Sequence, residues 1–512
     1  MPTIVADRAR PRNPQDYGPD GATRVNSRLP RFRPARSAGH SGAVTTENTV
    51  GAAADRGYGD RIVAVEPGST EPVPDSERHG RPRQLFWTWT SPNLEFATIF
   101  VGVLSVTAFG QSVPAAVAAI VVGNLLAALA HGILSARGPA AGVPQMVLGR
   151  LAFGHRGNAL PAALMTITSG FGWFAVNSVS AAFALSAITG GGTVAWLVAV
   201  VVVQVAVAFF GHNLVQAFER LAFPLLAVVL GAGAVLVLAA SDPGAAASPD
   251  GVGGVGGFLL TVGAVVGYSA GWSPYAADYS RYLPRSVSAR ATGLAAGGGL
   301  FLSTTVLMTV GAASVGAATA AGLDSDNPVA NYTGLLPGWL AVLTLVAIAV
   351  GAVAANVLNV YSGAMAFLAL GIDVPLARAR AVVAVAFGAV GFVIALVALG
   401  DAAAGYEAFL LVVVYWVGPW LGVVLTDQWL RPTDPGLLYD RTHRNHAGPV
   451  ALVAGIVVSV LLFANQELFT GLVPRLLPGI GDVTFLVGLL LSAGLYALPA
   501  RRTAVGTPGG TR

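Results

Sequence analysis

The chain has 512 residues and a net charge of +4, with 54% hydrophobic and only 11% charged positions; its mean hydropathy is +0.67. A soluble domain carries about a quarter charged residues, so a soluble fold is excluded and most of this chain belongs in lipid. There is no cysteine, which excludes disulfides and thiolate metal sites. Every basic residue is arginine, gathered in the tail and in short loops, a pattern of membrane topology and not of nucleic-acid binding.

Residues 1–84 are rich in Pro, Gly, Ser and Arg and poor in large apolar side chains, so a disordered cytoplasmic tail is expected. No apolar run follows the early arginines, so they form no signal peptide, and Pro2 leaves no myristoylation start. A transmembrane transporter domain is expected over 85–500, with a short cytoplasmic tail at 501–512. Apolar runs of spanning length fall at 94–112, 115–135, 160–189, 193–210, 221–240, 257–277, 292–321, 337–370, 380–399, 405–428, 448–466 and 482–499. The short amphipathic segment 143–157 reads as an interfacial or loop helix. With the tail inside, alternate loops carry Arg137, Arg150, Arg220, Arg281, Arg431 and Arg501, whereas the opposite loops carry Asp242, Asp250, Asp324, Asp326 and Asp401 with Arg475 alone among basic residues. Positive residues favour the cytoplasmic side. The expectation is an all-α polytopic protein of about twelve spans in the cell membrane, with both termini cytoplasmic.

Polar groups at membrane depth are costly and mark function. In the first run, NLEFATIFVGVLSVTAFG, Glu95 is expected at the cytoplasmic interface, and Gly102 or Gly110 could mark a helix break. In the third, SGFGWFAVNSVSAAF, Trp173 and Asn177 are four apart and share a face. A tryptophan can stack an aromatic ring, and an asparagine can bond an amide or amidine edge; equally, the pair can serve helix packing. Gly170 and Gly172 let a neighbouring helix approach closely.

The sixth run, GAVVGYSAGWSPYAADYSRYLP, is interrupted by Gly263, Gly267, Gly271 and Pro274 and closes on Asp278 and Arg281. Helix-breaking residues at this depth are tolerated where the backbone lines a cavity, and broken helices build transporter sites. Trp272 sits at the break, as a site residue or as an interfacial anchor. Asp278 is expected to pair with Arg281 or to cap the next segment. In the eighth run, AANVLNVYSGAMAF, Asn356 and Asn359 share a face and either join helices or face a ligand.

The stretch GYSAGWSPYAADYSRYLP resembles the sixth-helix signature of the nucleobase–cation symporter-1 family, in its purine–cytosine permease branch. Four further segments resemble that branch in order: VEPGSTEPVPDSERHGRPRQLFWTWTSPNLEF, GNALPAALMTITSGFGWFAVN, ANVLNVYSGAMAFLALG and YWVGPWLGVVLTDQWLR. Together they cover about residues 61–470. The resemblance implies a LeuT-like five-plus-five inverted repeat followed by two C-terminal helices. It implies a substrate between broken helices one and six and helices three and eight. A ring would stack on Trp173 and bond Asn177, with Trp272, Asn356 and Asn359 completing the site; Gly102, Gly267, Gly271, Pro274, Asp278 and Arg281 are the helix-break or gating residues. The family's asparagine pair is usually four apart, and here it is three.

The expected function is proton-coupled import of a nucleobase such as cytosine or a purine, by alternating access and with no cofactor beyond the coupling cation. Sodium-coupled relatives place eighth-helix hydroxyls where this chain has Val350, Val353 and Ala354, and hard cations need oxygen ligands. Allantoin, hydantoin, uracil or thiamine-like substrates, or sodium coupling, are the alternatives. An intramembrane enzyme would need a nucleophile–base pair or metal ligands at depth, and a channel a ring of charges or a filter loop; neither pattern is found, and no enzyme activity is expected. No lysine means no GxxxxGK[ST] loop for ATP. The partners are the small-molecule nucleobase and the lipid bilayer, with no nucleic acid and no obligate protein partner.

Overall fold

The computed structural model describes residues 70–209, 212–244, 251–323, 327–372, 376–400, 402–431, 434–466 and 469–505. The expected tail lies outside the described residues up to 69, as do Asp250, Asp324, Asp326 and Asp401 and residues 506–512. Among the described residues, seven helices are long and apolar enough to cross a membrane, and five shorter apolar helices, among them Phe96–Thr107 and Ala447–Phe463, fall on the remaining expected runs.

Two of the twelve runs are interrupted, and they are five apart in order. The first consists of Gln84–Thr90, a tight turn Ser91–Asn93 and Phe96–Thr107. The sixth consists of Gly254–Ala270, a turn Ser273–Tyr275 and Ala276–Ser280. The third run, Ala159–Thr189, is continuous but widens to a π-helical stretch over Thr168–Trp173. The segment 143–157 folds as the short helices Gln145–Leu148 and Arg150–Gly157, packed inward with Arg150 buried.

Ordered chain starts before residue 85. Val73 is buried and its N–H donates to the Gly142 carbonyl at 2.9 Å. Arginine-bearing loops meet on one face: Arg137 donates to the Gln428 carbonyl (2.8 Å), Arg150 to the Leu438 carbonyl (3.1 Å), and Arg285 pairs with Asp75 (2.8 Å). The alternate loops meet one another instead. The Gly253 N–H donates to the Phe109 carbonyl at 3.1 Å, and Gly256 lies against Gly479 and Gly481. This is the segregation the alternating charge pattern requires.

Candidate functional site

The first break follows from its sequence, Ser-Pro-Asn-Leu-Glu. Pro92 lacks an N–H and sits at the start of the tight turn Ser91–Asn93, a position near a helix start where proline is tolerated. Leu94 then leaves the helix (φ −82°, ψ 68°) and Glu95 is extended (φ −151°, ψ 172°). The outer half restarts at Phe96 with Glu95 as its N-cap, Oε2 accepting from the Ala97 N–H at 2.9 Å.

Two expectations are corrected here. Glu95 is not interfacial: it is 1% exposed, because a polar half-helix, QLFWTWT, precedes it and carries the membrane entry further back. Gly102 is not a break either. It lies within Phe96–Thr107, where an added Cβ would fall 1.8 Å from the Met308 carbonyl oxygen; it is a close-packing glycine against the seventh span (Ala289–Ala320).

In the third span the small residues have the expected effect. An added Cβ at Gly170 would strike Phe387 of the ninth span, and one at Gly172 would strike Phe409 of the tenth. The π-helical stretch, a form common at functional positions, carries Trp173. Its ring meets Tyr268 edge-on (centroids 5.4 Å), Phe409 (4.9 Å) and Tyr406 (6.4 Å).

One turn on, Asn177 Nδ2 donates to Asn356 Oδ1 at 2.9 Å, and Asn359 Nδ2 donates to the same oxygen at 3.2 Å. Asn356 Nδ2 in turn donates to the Phe174 carbonyl (2.8 Å), the Ser178 hydroxyl (3.1 Å) and Gln204 Oε1 (3.1 Å). The Tyr275 hydroxyl donates to Asn359 Oδ1 at 3.1 Å. Asn177, Asn356 and Asn359 therefore form one buried chain between the third, eighth and broken sixth spans. The sequence pattern found the three asparagines; Gln204 and Tyr275 have no mark in it, since a lone Gln or Tyr in a span carries no spacing signal.

The sixth break falls at Gly271–Tyr275, where Pro274 opens the short turn. Gly271 lies against the Trp173 ring, with its would-be Cβ 3.3 Å from Cζ2, whereas Gly267 packs on the Leu410 carbonyl of the tenth span. Trp272 turns the other way: its Nε1 donates to Asn93 Oδ1 at 3.0 Å and its ring meets Trp89 (5.8 Å) and Tyr275 (5.4 Å). The aromatic that the sixth span presents to Trp173 is Tyr268. Its hydroxyl meets Thr98 Oγ1 at 2.5 Å and donates to Glu95 Oε1 at 3.3 Å, so both broken spans are joined beside Trp173. His131 is buried with its ring 4.2 Å from that of Trp89.

The end of the sixth span is knotted into the arginine-bearing face. Asp278 Oδ1 accepts from the Gln145 N–H at 2.8 Å, so it meets the first turn of the short helix Gln145–Leu148 between the second and third spans. Arg281 is 1% exposed and donates to the Tyr361 (3.1 Å) and Tyr282 (3.0 Å) hydroxyls. The Tyr279 hydroxyl donates to the Leu358 carbonyl at 3.2 Å. Toward the other face, an apolar cavity of about 520 Å³ lies beside Trp173, lined by Phe96, Phe100, Val176, Tyr406 and Phe409 among others. That volume is in the range of small-molecule sites, about 300–1,000 Å³.

Comparison with known proteins agrees with this architecture. The family model described as "Permease for cytosine/purines, uracil, thiamine, allantoin" matches residues 72–488. The Bacillus subtilis (strain 168) protein named "Putative purine-cytosine permease YxlA" is 28% identical over 84% of this chain and 95% of its own. The purine-cytosine permease fcyB of Emericella nidulans is 26% identical over 80% of this chain and 82% of its own. Among solved structures, Mhp1, a nucleobase-cation-symport-1 family transporter in a closed conformation with bromovinylhydantoin bound, superposes with TM-score 0.67 at 21% identity, over 86% of this chain and 96% of that one. A Na+-coupled sialic acid symporter superposes with TM-score 0.60 at 10% identity, over 84% and 91%. These likenesses bear out the expected LeuT-like fold.

Proposed function

The chain belongs to the family of permeases for cytosine/purines, uracil, thiamine and allantoin, and we propose that within it this protein is a proton-coupled symporter importing a nucleobase such as cytosine or a purine. The observation that carries the reading is the buried asparagine chain Asn177–Asn356–Asn359 one turn from Trp173, at the crossing of both broken spans. A flat, uncharged ring stacked on Trp173 would present its edge to these amides and to Glu95. The cavity beside Trp173 is its approach from outside, and the knot of Asp278, Tyr279 and Arg281 closes the route to the cytoplasm. In this reading the arginine-bearing face and both termini are cytoplasmic, as the positive-inside rule favours, and the membrane is the cell membrane.

Proton coupling is favoured over sodium by the eighth span. It crosses the first break at Gly351, against the Leu94 carbonyl. The residues around that crossing, Val350, Val353 and Ala354, offer no side-chain oxygen, and a hard cation needs several.

The test is binding across a panel of cytosine, adenine, guanine, hypoxanthine, uracil and allantoin, followed by Trp173→Ala and Asn177→Ala. Base–aromatic stacking contributes about 1–3 kcal/mol, so Trp173→Ala should weaken binding roughly tenfold or more. Unchanged binding in both variants overturns the site assignment. Uptake strictly dependent on sodium at constant pH overturns the proton assignment.

A further inference from the structure

We propose that Glu219, in the fifth span (His212–Ala240), is the residue that carries the coupled proton; this rests on the proton-coupled reading above. Glu219 is fully buried, and neither carboxylate oxygen has a hydrogen-bond partner among the described residues. The Ser91 hydroxyl, at the first-span break, lies within interacting range of the carboxyl but, like it, makes no hydrogen bond among the described residues.

Among the described residues, the elements packed most closely on the fifth span bring no charge to it. Gln84–Thr90, Ser91–Asn93 and the fourth span (Thr193–Phe209) contain no titratable residue. The seventh span contains only Arg290, which is exposed, and the eighth (Gly338–Ala369) only Tyr361, held by Arg281. On its own helix Arg220 faces out, and the other titratable residue, His212, opens the helix two turns earlier. From the sixth span Tyr279 is within electrostatic reach, and its hydroxyl is engaged by Leu358. An ion buried without a partner costs several kcal/mol even after relaxation, so in this closed-face arrangement the carboxyl is neutral and holds a proton.

The geometry also supplies a way to release it. Thr88 Oγ1 donates to Gln216 Oε1 at 2.9 Å, one turn before Glu219. The inner half of the first span is thereby latched over the carboxyl. When Gln84–Thr90 swings out to open the cytoplasmic face, that latch parts and Ser91 withdraws. Water then reaches Glu219, and the proton leaves to the same side as the substrate.

The experiment is uptake in proteoliposomes of whichever panel nucleobase binds the wild type best. One pH unit is worth 1.36 kcal/mol, so one-to-one coupling sustains about tenfold accumulation per imposed unit. Glu219→Gln should abolish accumulation driven by the pH gradient while nucleobase binding and equilibrium exchange persist, and Glu219→Asp should restore part of the accumulation. Accumulation retained by Glu219→Gln overturns the assignment and leaves the proton reading standing. A wild type that responds to sodium and not to pH overturns both. If Glu219→Gln does not fold, the wild type is treated with dicyclohexylcarbodiimide, which modifies protonated carboxyls in apolar surroundings. Peptide mapping should find Glu219 modified, with driven uptake lost and exchange kept; an unmodified Glu219 at acid pH overturns the proposal.

Discussion

Two carboxylates lie buried around the first break, and they are opposites. Glu95 belongs to a saturated network: its oxygens take the Ala97 N–H and the Tyr268 hydroxyl, and Tyr268 contacts Thr98 and Trp173. Asn356 likewise uses one oxygen and one nitrogen for five partners. Glu219, on the arginine-bearing side of the same break, takes none among the described residues. A saturated network fixes geometry and presents a defined hydrogen-bond pattern to a ligand. A bare buried carboxyl fixes nothing and responds to its proton. On the proposed reading, the same functional group recognises a substrate in one place and carries its driving ion in another, according to the donors around it.

The largest effect should come from striking the saturated network at its centre. Asn356→Ala leaves Asn177, Asn359 and Gln204 each short of a partner, and a stranded buried polar group costs about 1–3 kcal/mol. Nucleobase binding should fall by more than about a hundredfold, since that corresponds to less than 3 kcal/mol, and the melting temperature should drop. Binding equal to the wild type would mean that the asparagines only hold helices together.

Next in size is the direct contrast between the carboxylates. Glu95→Gln keeps the cap oxygen and removes the charge-assisted bond from Tyr268, a class of interaction contributing about 1.5–3 kcal/mol. Binding should weaken about ten- to hundredfold by the same arithmetic, while the accumulation ratio at saturating nucleobase still follows the pH gradient. Should Glu95→Gln bind normally and lose its response to the gradient, the two residues have exchanged roles.

This contrast is only half legible in the sequence. The sixth break could be read because Gly271 and Pro274 stand in an apolar run, and the third-span pair because Trp173 and Asn177 are one turn apart. The first break was hidden, since its inner half QLFWTWT has no hydropathy signature of a span and the glycines at 102 and 110 drew attention outward. Glu95 therefore read as interfacial. Glu219 carries no mark for a related reason: the apolar run starts at 221, whereas the helix begins at His212, so this buried residue falls outside the run, beside Arg220. Trp272 and Tyr268 lie four residues apart in the same span, and only the break decides which of them turns to Trp173.

The smallest predicted effect concerns the knot at the end of the sixth span, on the same arginine-bearing face as the latch over Glu219. Tyr361→Phe removes a hydroxyl to which Arg281 donates, a change of about 0.5–1.5 kcal/mol. The cytoplasmic face should open roughly two- to tenfold more often. Because the chain has no cysteine, a single Ala366→Cys, at a fully buried position near the inner end of the eighth span, reports this directly. Alkylation by a membrane-impermeant maleimide from the cytoplasmic side should quicken by that factor in the Tyr361→Phe background. With Glu219 beneath the same face, the pH-dependent part of nucleobase exchange should quicken in parallel. Faster alkylation with unchanged pH dependence would detach Glu219 from the opening of this face, and so separate the bare carboxyl from the motion that is meant to uncover it.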